Sequence, residues 1–220
     1  MDLYEGIKKR QSIRGFLPKA LAEKDIEQIL EAAGNSPSYT NTQPWDVVAV
    51  SGAKKNELSK KLLELAKSQS PANPDIPFPV NWPPEMEKRM REHGARRLNT
   101  LGIAREDKVE REKLNLMNFE FYGAPCAVFL FMDNNLSDWS LFDMGLFTQN
   151  IILAAYSKGI GSCIHASVTG YAEEIKKFLN IGKDRKLVVC ISLGYPDSSA
   201  KLNSYRSIKK NLDEYFSWYE

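Results

Sequence analysis

The amino-acid sequence predicts an α/β or α+β domain in which helices alternate with a few short buried strands. Three β-branched or aromatic runs of strand length are typical of such strands, at residues 46–51 (DVVAVS), 127–132 (AVFLFM) and 187–193 (LVVCISL). The segments between them carry apolar residues at helical spacing. Neither an internal repeat nor a low-complexity tract interrupts this order, which favours alternating elements around one core.

Helical periodicity delimits five segments outside the middle of the chain, at residues 3–9, 23–35, 54–67, 140–158 and 171–180. In the second of these, Ile26, Ile29 and Ala33 fall on one face, as a core-facing stripe requires. Gly159 follows the long fourth helix, where a glycine can adopt the left-handed conformation of a C-terminal cap.

An insertion of a different character is predicted at about 68–118, within a single domain of residues 1–220. Six of the 11 prolines lie at positions 71–84, which excludes a helix there and favours a lid or binding loop. Residues 85–118 predict two charged helices that break near Gly102. The first is basic, but glutamates alternate with its cations, which predicts a solvated face and not a binding patch.

Bulk composition bounds the class of protein. The 220 residues are 43% hydrophobic and 26% charged, with a formal net charge of +2, which is typical of a globular domain and argues against a general nucleic-acid binder. No apolar run reaches the roughly 18 residues that span a bilayer. The start, MDLYEGIKKR, lacks the apolar region of a secretory signal, so a cytoplasmic protein is expected.

The chemistry-bearing cysteines and histidines are scattered. Cys126, Cys163 and Cys190 form no C-x-x-C pair and predict reduced core thiols. His93 and His165 lie far apart, with no nucleophile or carboxylate motif beside them. The sequence therefore predicts neither a metal site nor a hydrolase triad.

The stretch from Ser36 to Trp45, SPSYTNTQPW, is a connecting loop dense in hydrogen-bonding side chains. Pro37 and Pro44 stiffen its two ends by fixing φ. Such a loop is suited to holding a flat polar group, and a well-capped turn is the alternative.

A second polar stretch runs from Arg10 to Arg14. In an extended backbone Arg10, Ser12 and Arg14 share one face, while Ile13 and Phe16 anchor the other. The first face would be a cluster of anion-binding donors, and a solvated basic helix end is the alternative.

Residues 159–164 (GIGSCI) resemble half of a dinucleotide fingerprint, but this interpretation is rejected because they follow a helix and not a strand, and Ile164 stands where the third glycine belongs. The tail is apolar and aromatic at residues 212–218, so it needs a surface to cover, either on its own domain or on a partner subunit.

Taken together, these motifs resemble the FMN-dependent nitroreductase family. R-x-S-x-R lies at 10–14, S-P-S-x-x-N-x-Q-P-W at 36–45, and the family's Gly-containing turn beside the flavin is matched at 159–163. G-Y-P at 194–196 and N-x-x-R-S-x-K at 203–209 are similar to its C-terminal phosphate region. The insertion resembles that of longer members, similar to nitrobenzoate reductases.

The resemblance implies an α+β fold with a central mixed, largely antiparallel sheet flanked by helices. It also implies a homodimer with FMN at the subunit interface and the C-terminal segment exchanged with the partner. The implied cofactor-binding residues are Arg10, Ser12, Arg14, Pro37, Ser38, Asn41, Gln43, Asn118, Ala166, Ser167, Arg206 and Lys209.

Roles within this set follow from the resemblance and from the chemistry of FMN. Arg10, Ser12, Arg206 and Lys209 supply cations and donors for the phosphate. Arg14 is expected near N1/O2, where a fixed positive charge raises the flavin potential. The side-chain amides of Asn41, Gln43 and Asn118 are expected to contact the flavin ring or the ribityl chain. The backbone around Ala166 and Ser167 is expected to approach the ring and to donate one hydrogen bond to N5.

The implied reaction is ping-pong, with NAD(P)H delivering a hydride to flavin N5 and a nitroaromatic, quinone or similar acceptor then taking the electrons. No catalytic side chain or metal is expected, because the cofactor carries the chemistry. Phe78, Trp82 and the helices of residues 85–118 are candidates for the substrate cover, or for plain surface packing. A specialised flavin reaction on the same fold (reductive dehalogenation, flavin fragmentation or substrate dehydrogenation) and a non-catalytic flavin-binding protein are the alternatives.

Overall fold

A computed structural model describes residues 2–220 and shows seven α-helices around a four-stranded sheet. The strands are β1 (Asp46–Ser51), β2 (Cys126–Asp133), β3 (Gly161–His165) and β4 (Arg185–Gly194). The helices are α1 (Leu3–Lys9), α2 (Glu23–Gly34), α3 (Gly52–Lys67), α4 (Pro84–Leu101), α5 (Lys108–Leu116), α6 (Asp138–Ser157) and α7 (Ala172–Leu179). The strand order is β1-β2-β4-β3, and every neighbouring pair is antiparallel.

The core lies on both faces of the two central strands. Along β2, Phe129 and Phe131 pack in one apolar cluster with Leu58 of α3. Val128 and Leu130 point the opposite way, into a second cluster with the buried residues of α2 and α6. This alternation is the period of a strand that is buried on both faces, as the apolar sequence of β2 predicts.

Strand β3 was not predicted. The sequence motif at 159–163 indicated a turn, but within it only Gly159 has a turn conformation. Its φ of +72° is left-handed, and it follows the last turn of α6 as the predicted C-terminal cap. From Gly161 the chain pairs with β4, in a register that joins Gly161 to Gly194 and His165 to Cys190. Within residues 2–220, the parallel pairing that a mixed sheet requires is confined to an isolated bridge between Ser12 and Ser162.

The insertion is anchored to the sheet through Asp75. The carboxylate of Asp75 pairs with Lys176 at 2.8 Å and accepts the backbone N–H of Leu187 at 2.7 Å. Residues 71–83 of the proline-rich stretch have neither helix nor strand, as predicted, whereas Pro84 is the first residue of α4, a position where proline is tolerated. The predicted pair of charged helices is confirmed by α4 and α5, and Gly102 between them has the left-handed φ of +72°.

The tail beyond Leu202 lies along the surface. Within the predicted segment 212–218, four large apolar residues are each at least half exposed: Leu212, Tyr215, Phe216 and Trp218. The single chain therefore does not provide the surface that this aromatic segment was expected to cover. No helix in residues 2–220 is long and apolar enough to cross a membrane.

Candidate functional site

A small, strongly cationic cavity forms where the N-terminal segment meets the tail. Its volume is about 160 Å³. It is lined by Lys8, Arg10, Gln11, Ser12, Arg14, Tyr205, Arg206, Ser207 and Lys209. Five of these side chains are cations and none is a carboxylate, a donor set that fits a doubly charged phosphate group.

The N-terminal wall of the cavity is an extended segment held against β3. The backbone N–H of Ile13 donates to Ser162 at 2.8 Å, and Ile13 and Phe16 are buried. Arg10, Ser12 and Arg14 therefore face the cavity together, as the alternating pattern predicted.

Gly161 makes this close approach possible. A β-carbon at Gly161 would lie 2.7 Å from Cγ1 of Ile13 and 2.9 Å from Cγ of Pro196. Both distances are shorter than van der Waals contact, so a side chain here would push the cavity wall outward. The glycine motif at 159–163 thus serves packing beneath the cationic segment.

Asn203, the first residue of the N-x-x-R-S-x-K motif, joins the two walls and is a positioning residue, a role that the motif alone did not predict. Its side-chain oxygen accepts the backbone N–H of Arg14 at 2.7 Å, and its amide nitrogen donates to Gly15 at 2.8 Å and Asp197 at 2.9 Å. Arg206 adds a further link, because its guanidinium donates to the carbonyl of Lys9 at 2.7 Å.

A second group of residues surrounds the guanidinium of Arg14. The guanidinium lies 5.9 Å from the centre of the Tyr122 ring, and the ring of His165 lies 5.4 Å from the same centre. The Tyr122 hydroxyl donates to Asn118 at 3.1 Å and accepts from Arg97 at 3.4 Å. Asn118 is thereby connected to Arg14 through Tyr122, although its own amide also donates to the carbonyl of Asn115 in α5 at 2.9 Å.

The backbone at this point is in an uncommon conformation. Phe121 and Tyr122 have φ of +54° and +52°, although neither is glycine. Left-handed backbone at a bulky residue costs of order 1–3 kcal/mol and is concentrated at functional sites. The surrounding contacts of Tyr122 hold it in place, which gives the ring beside Arg14 a fixed position.

His165 is a neutral internal support. It is 1% exposed, its Nε2 lies 2.6 Å from Oγ of Ser192, and its Nδ1 has no partner within residues 2–220. Burial, with the charge of Arg14 as the second cause, lowers the pKa of His165 to about 3. Ala166 and Ser167 follow it directly and are exposed, so their backbone can approach a ligand.

The loop at 36–45 is anchored on α6. The backbone N–H of Tyr39 lies 3.1 Å from each carboxylate oxygen of the buried Asp143, and Asn150 donates to Ser36 at 2.7 Å. Trp45 stacks on Phe147 with ring centres 4.5 Å apart. The loop is therefore held still, as its prolines predicted.

The exposed part of this loop has an unusual backbone. Thr40, Asn41 and Gln43 all have positive φ, of +51°, +59° and +49°. Ser38 fixes their arrangement, since its hydroxyl accepts the backbone N–H of Gln43 at 3.0 Å. The side chains of Asn41 and Gln43 are exposed, as is Pro37.

One chain does not bring this loop to the cationic cavity. The loop contacts α6 at Asp143. A neighbouring cavity of about 470 Å³ shares Arg10 and Arg206 with the cationic cavity, and it is lined by Tyr156 and Ser157 near the C-terminal end of α6. Tyr156 lies thirteen positions after Asp143 in α6, a rise of about 20 Å. The exposed part of the loop, next to Asp143, and the cationic cavity thus lie toward different ends of α6.

Comparison with known proteins agrees with this fold and these motifs. The model of the nitroreductase family matches residues 7–195. Nitroreductase NfnB of Mycolicibacterium smegmatis is 34% identical over 209 residues, which cover 94% of this chain and 88% of that protein. A 4-nitrobenzoate reductase of Pseudomonas putida is 33% identical over 200 residues, which cover 91% and 88%.

A solved structure extends the likeness to the whole chain. The crystal structure of the FMN-dependent nitroreductase NfnB from Mycobacterium smegmatis in complex with NADPH matches with a TM-score of 0.94 at 32% identity, covering 100% of both chains. The resemblance drawn from the motifs and the α+β fold are therefore confirmed, and the chain belongs to the nitroreductase family.

Proposed function

We propose that this protein is an FMN-dependent oxidoreductase that passes electrons from NAD(P)H to nitroaromatics and related electron-poor acceptors. The observation that carries the proposal is the cationic cavity, where the R-x-S-x-R segment and the tail converge without any carboxylate. Relatives that are described as an FMN-dependent nitroreductase and as a 4-nitrobenzoate reductase support the reaction class.

Within this site Arg10, Ser12, Arg206 and Lys209 hold the phosphate of FMN. Arg14 also lines the cavity and places a fixed positive charge 5.9 Å from the centre of the Tyr122 ring, where it favours negative charge on the flavin ring. Bound FMN supplies the hydride chemistry.

The other residues of the site shape and support it. Asn118 positions Tyr122, and the backbone at Ala166 and Ser167 approaches the ring. His165 is buried, and burial lowers its pKa to about 3, so it is neutral at neutral pH and we assign it the role of supporting this backbone.

A homodimer completes the site. The separation of about 20 Å along α6 leaves the polar loop of Pro37, Ser38, Asn41 and Gln43 without a ligand in its own subunit. The same loop from a second subunit supplies the missing wall, and the exposed aromatic tail covers the partner's surface. The FMN site therefore lies between subunits.

Subunit mixing tests the interface. Gln43→Ala and Arg206→Ala each weaken FMN retention, because each removes one wall. When the two variants are unfolded together and refolded as a mixture, mixed dimers contain one intact site and regain flavin that neither parent retains. A mixture that binds no more flavin than its parents would exclude a shared site.

Steady-state kinetics test the reaction. Donor and acceptor use one site in turn, so double-reciprocal plots at several acceptor concentrations should be parallel. Measuring kcat/KM for a panel of acceptors then separates a broad nitroreductase from a specialised enzyme. A single acceptor with a kcat/KM far above that of every nitroaromatic would indicate a dedicated flavin reaction. FMN that binds but is not reduced by NAD(P)H would indicate a binding protein.

The cytoplasm is the proposed location. Cys126, Cys163 and Cys190 are all free and buried in the core, as thiols of a reducing compartment are. Fractionation of producing cells, with flavin fluorescence as the readout, tests this assignment.

A further inference from the structure

A groove of about 510 Å³ lies between α4 and the tail, next to the cationic cavity. The two share Ser207 and Lys209. His93 lines the groove and Tyr205 lines the cavity, and the hydrogen bond of 3.0 Å between these side chains forms the wall that separates them. The groove is thus a distinct site beside the proposed flavin phosphate, of a size that suits a small-molecule ligand.

The groove is cationic because the packing of α4 places some of its cations, but none of its carboxylates, along the groove. Four cations line it and no carboxylate does; they are Arg89, Arg96, Lys209 and Lys210. Arg89 makes no ion pair within residues 2–220, whereas Arg96 pairs with Glu92 at 3.4 Å and only its buried Nε has no acceptor there. Glu87, by contrast, pairs with Arg91 outside the groove. The sequence prediction of a uniformly solvated face overlooked this separation.

The groove also has an apolar lining. Met86 and Met90 lie one turn apart on α4, and Trp82 lies just before the helix begins at Pro84. Each remains 43–49% exposed, which leaves an indole face and two thioethers without a covering group. Indole and thioether groups favour a planar aromatic ring.

We propose that this groove binds the adenosine 2′-phosphate part of NADPH, with the adenine on Trp82 and the 2′-phosphate between Arg89 and Lys210. The inference rests on the proposed function, which makes a nicotinamide dinucleotide the electron donor. NADH has no 2′-phosphate and leaves these cations unpaired, so the enzyme prefers NADPH.

The path of α4 supports this placement. From Arg89 the helix continues for eight residues, about 12 Å, to Arg97, which contacts Tyr122 beside Arg14. A dinucleotide that lies along α4 therefore has its phosphorylated end in the groove and its nicotinamide end toward the proposed flavin ring.

Variants of the two unshared cations test the proposal on the FMN-loaded protein. For Arg89→Ala and Lys210→Ala, the KM for NADPH should rise about tenfold relative to the KM for NADH. Lys88→Ala is the matched control, because Lys88 is an exposed cation beside Arg89 on α4 that does not line the groove. Its ratio of the two KM values should stay within about twofold of wild type.

A titration with 2′,5′-ADP gives a readout that needs no turnover. We expect it to quench tryptophan fluorescence in the wild type and to bind about tenfold more weakly to Arg89→Ala. Trp82→Phe should retain affinity and lose most of the quenching.

Two results would overturn the proposal. The first is an unchanged ratio of the KM values for NADPH and NADH in both cation variants. The second is a loss of activity in these variants with 4-nitrobenzoate but not with uncharged nitrobenzene, which would assign the groove to the acceptor. A protein that retains no FMN would instead refute the proposed function.

Discussion

The side-chain oxygen of Asn203 accepts a 2.7 Å hydrogen bond from the backbone N–H of Arg14, 189 residues earlier in the chain. With the bonds to Gly15 and Asp197, this contact fixes the R-x-S-x-R segment to the tail. The geometry of the cationic cavity therefore depends on a residue that lies outside the set of phosphate-binding side chains.

Asn203→Ala should loosen the cavity without removing a charge. Loss of three partly buried hydrogen bonds should lower the free energy of unfolding by about 2 kcal/mol and weaken FMN binding about tenfold. Chemical denaturation and flavin fluorescence measure the two effects. Asn134→Ala is the control, since the Asn134 amide also bonds a loop carbonyl but far along the chain from the cavity. Equal FMN affinities in the two variants would show that Asn203 does not position the site.

Gly161→Ala should displace the wall that carries Arg10 to Arg14. Its methyl group would lie 2.7 Å from Ile13, so we expect a loss of about 1–3 kcal/mol in unfolding free energy together with weaker FMN retention. Gly145→Ala in α6 meets nothing within 4 Å and should be neutral or stabilising by up to about 1 kcal/mol. Indistinguishable stabilities would mean that the contact with Ile13 relaxes freely.

Arg14→Ala should act on the flavin potential, whereas Arg206→Ala should act on retention. Removing the charge beside Tyr122 should lower the two-electron potential by about 30 mV, equivalent to about 1.4 kcal/mol. Arg206→Ala and Arg10→Ala should each weaken FMN binding, and Lys60→Ala, an exposed cation on α3, should change neither quantity. An unchanged potential in Arg14→Ala would remove Arg14 from the ring.

His165 should make stability depend on pH below neutrality. Its folded pKa of about 3 lies below the ordinary value of 6.5, so the unfolded chain binds the extra proton between these values. Stability is complete above about pH 6.5 and is lost as the pH falls toward 3, by at most about 1.4 kcal/mol per pH unit.

His165→Gln should remove this dependence, because its amide can still donate to Ser192 but does not titrate. Denaturant midpoints between pH 4 and pH 7 would show a shallower slope for the variant than for the wild type. Parallel slopes would mean that another group causes the acid sensitivity.

The strands with strong local signals were predicted within one or two residues. The runs at 46–51, 127–132 and 187–193 are β-branched and apolar, so propensity and burial agree. Residues 161–165 (GSCIH) have no such signal. They form β3 because β4 offers an edge to pair with, a tertiary cause that no local pattern reveals.

For the candidate site, as for the strands, only the features with a local sequence pattern were predictable. Alternation in an extended segment was enough to bring Arg10, Ser12 and Arg14 to one face. The role of Asn203 depends on contacts across 188 residues or more, and the cations of α4 are sorted only when the helix packs beside the tail. Both are consequences of folding that the residue types alone do not determine.

Anaerobic titration of the purified, FMN-loaded protein with NADPH tests the central claim most directly. The account predicts a yellow protein with about one FMN per chain, because a dimer with two sites would hold two cofactors. NADPH should bleach its flavin absorbance, and a nitroaromatic should restore it. A protein that retains no FMN, or whose flavin absorbance is unaffected by NADPH, would contradict the account.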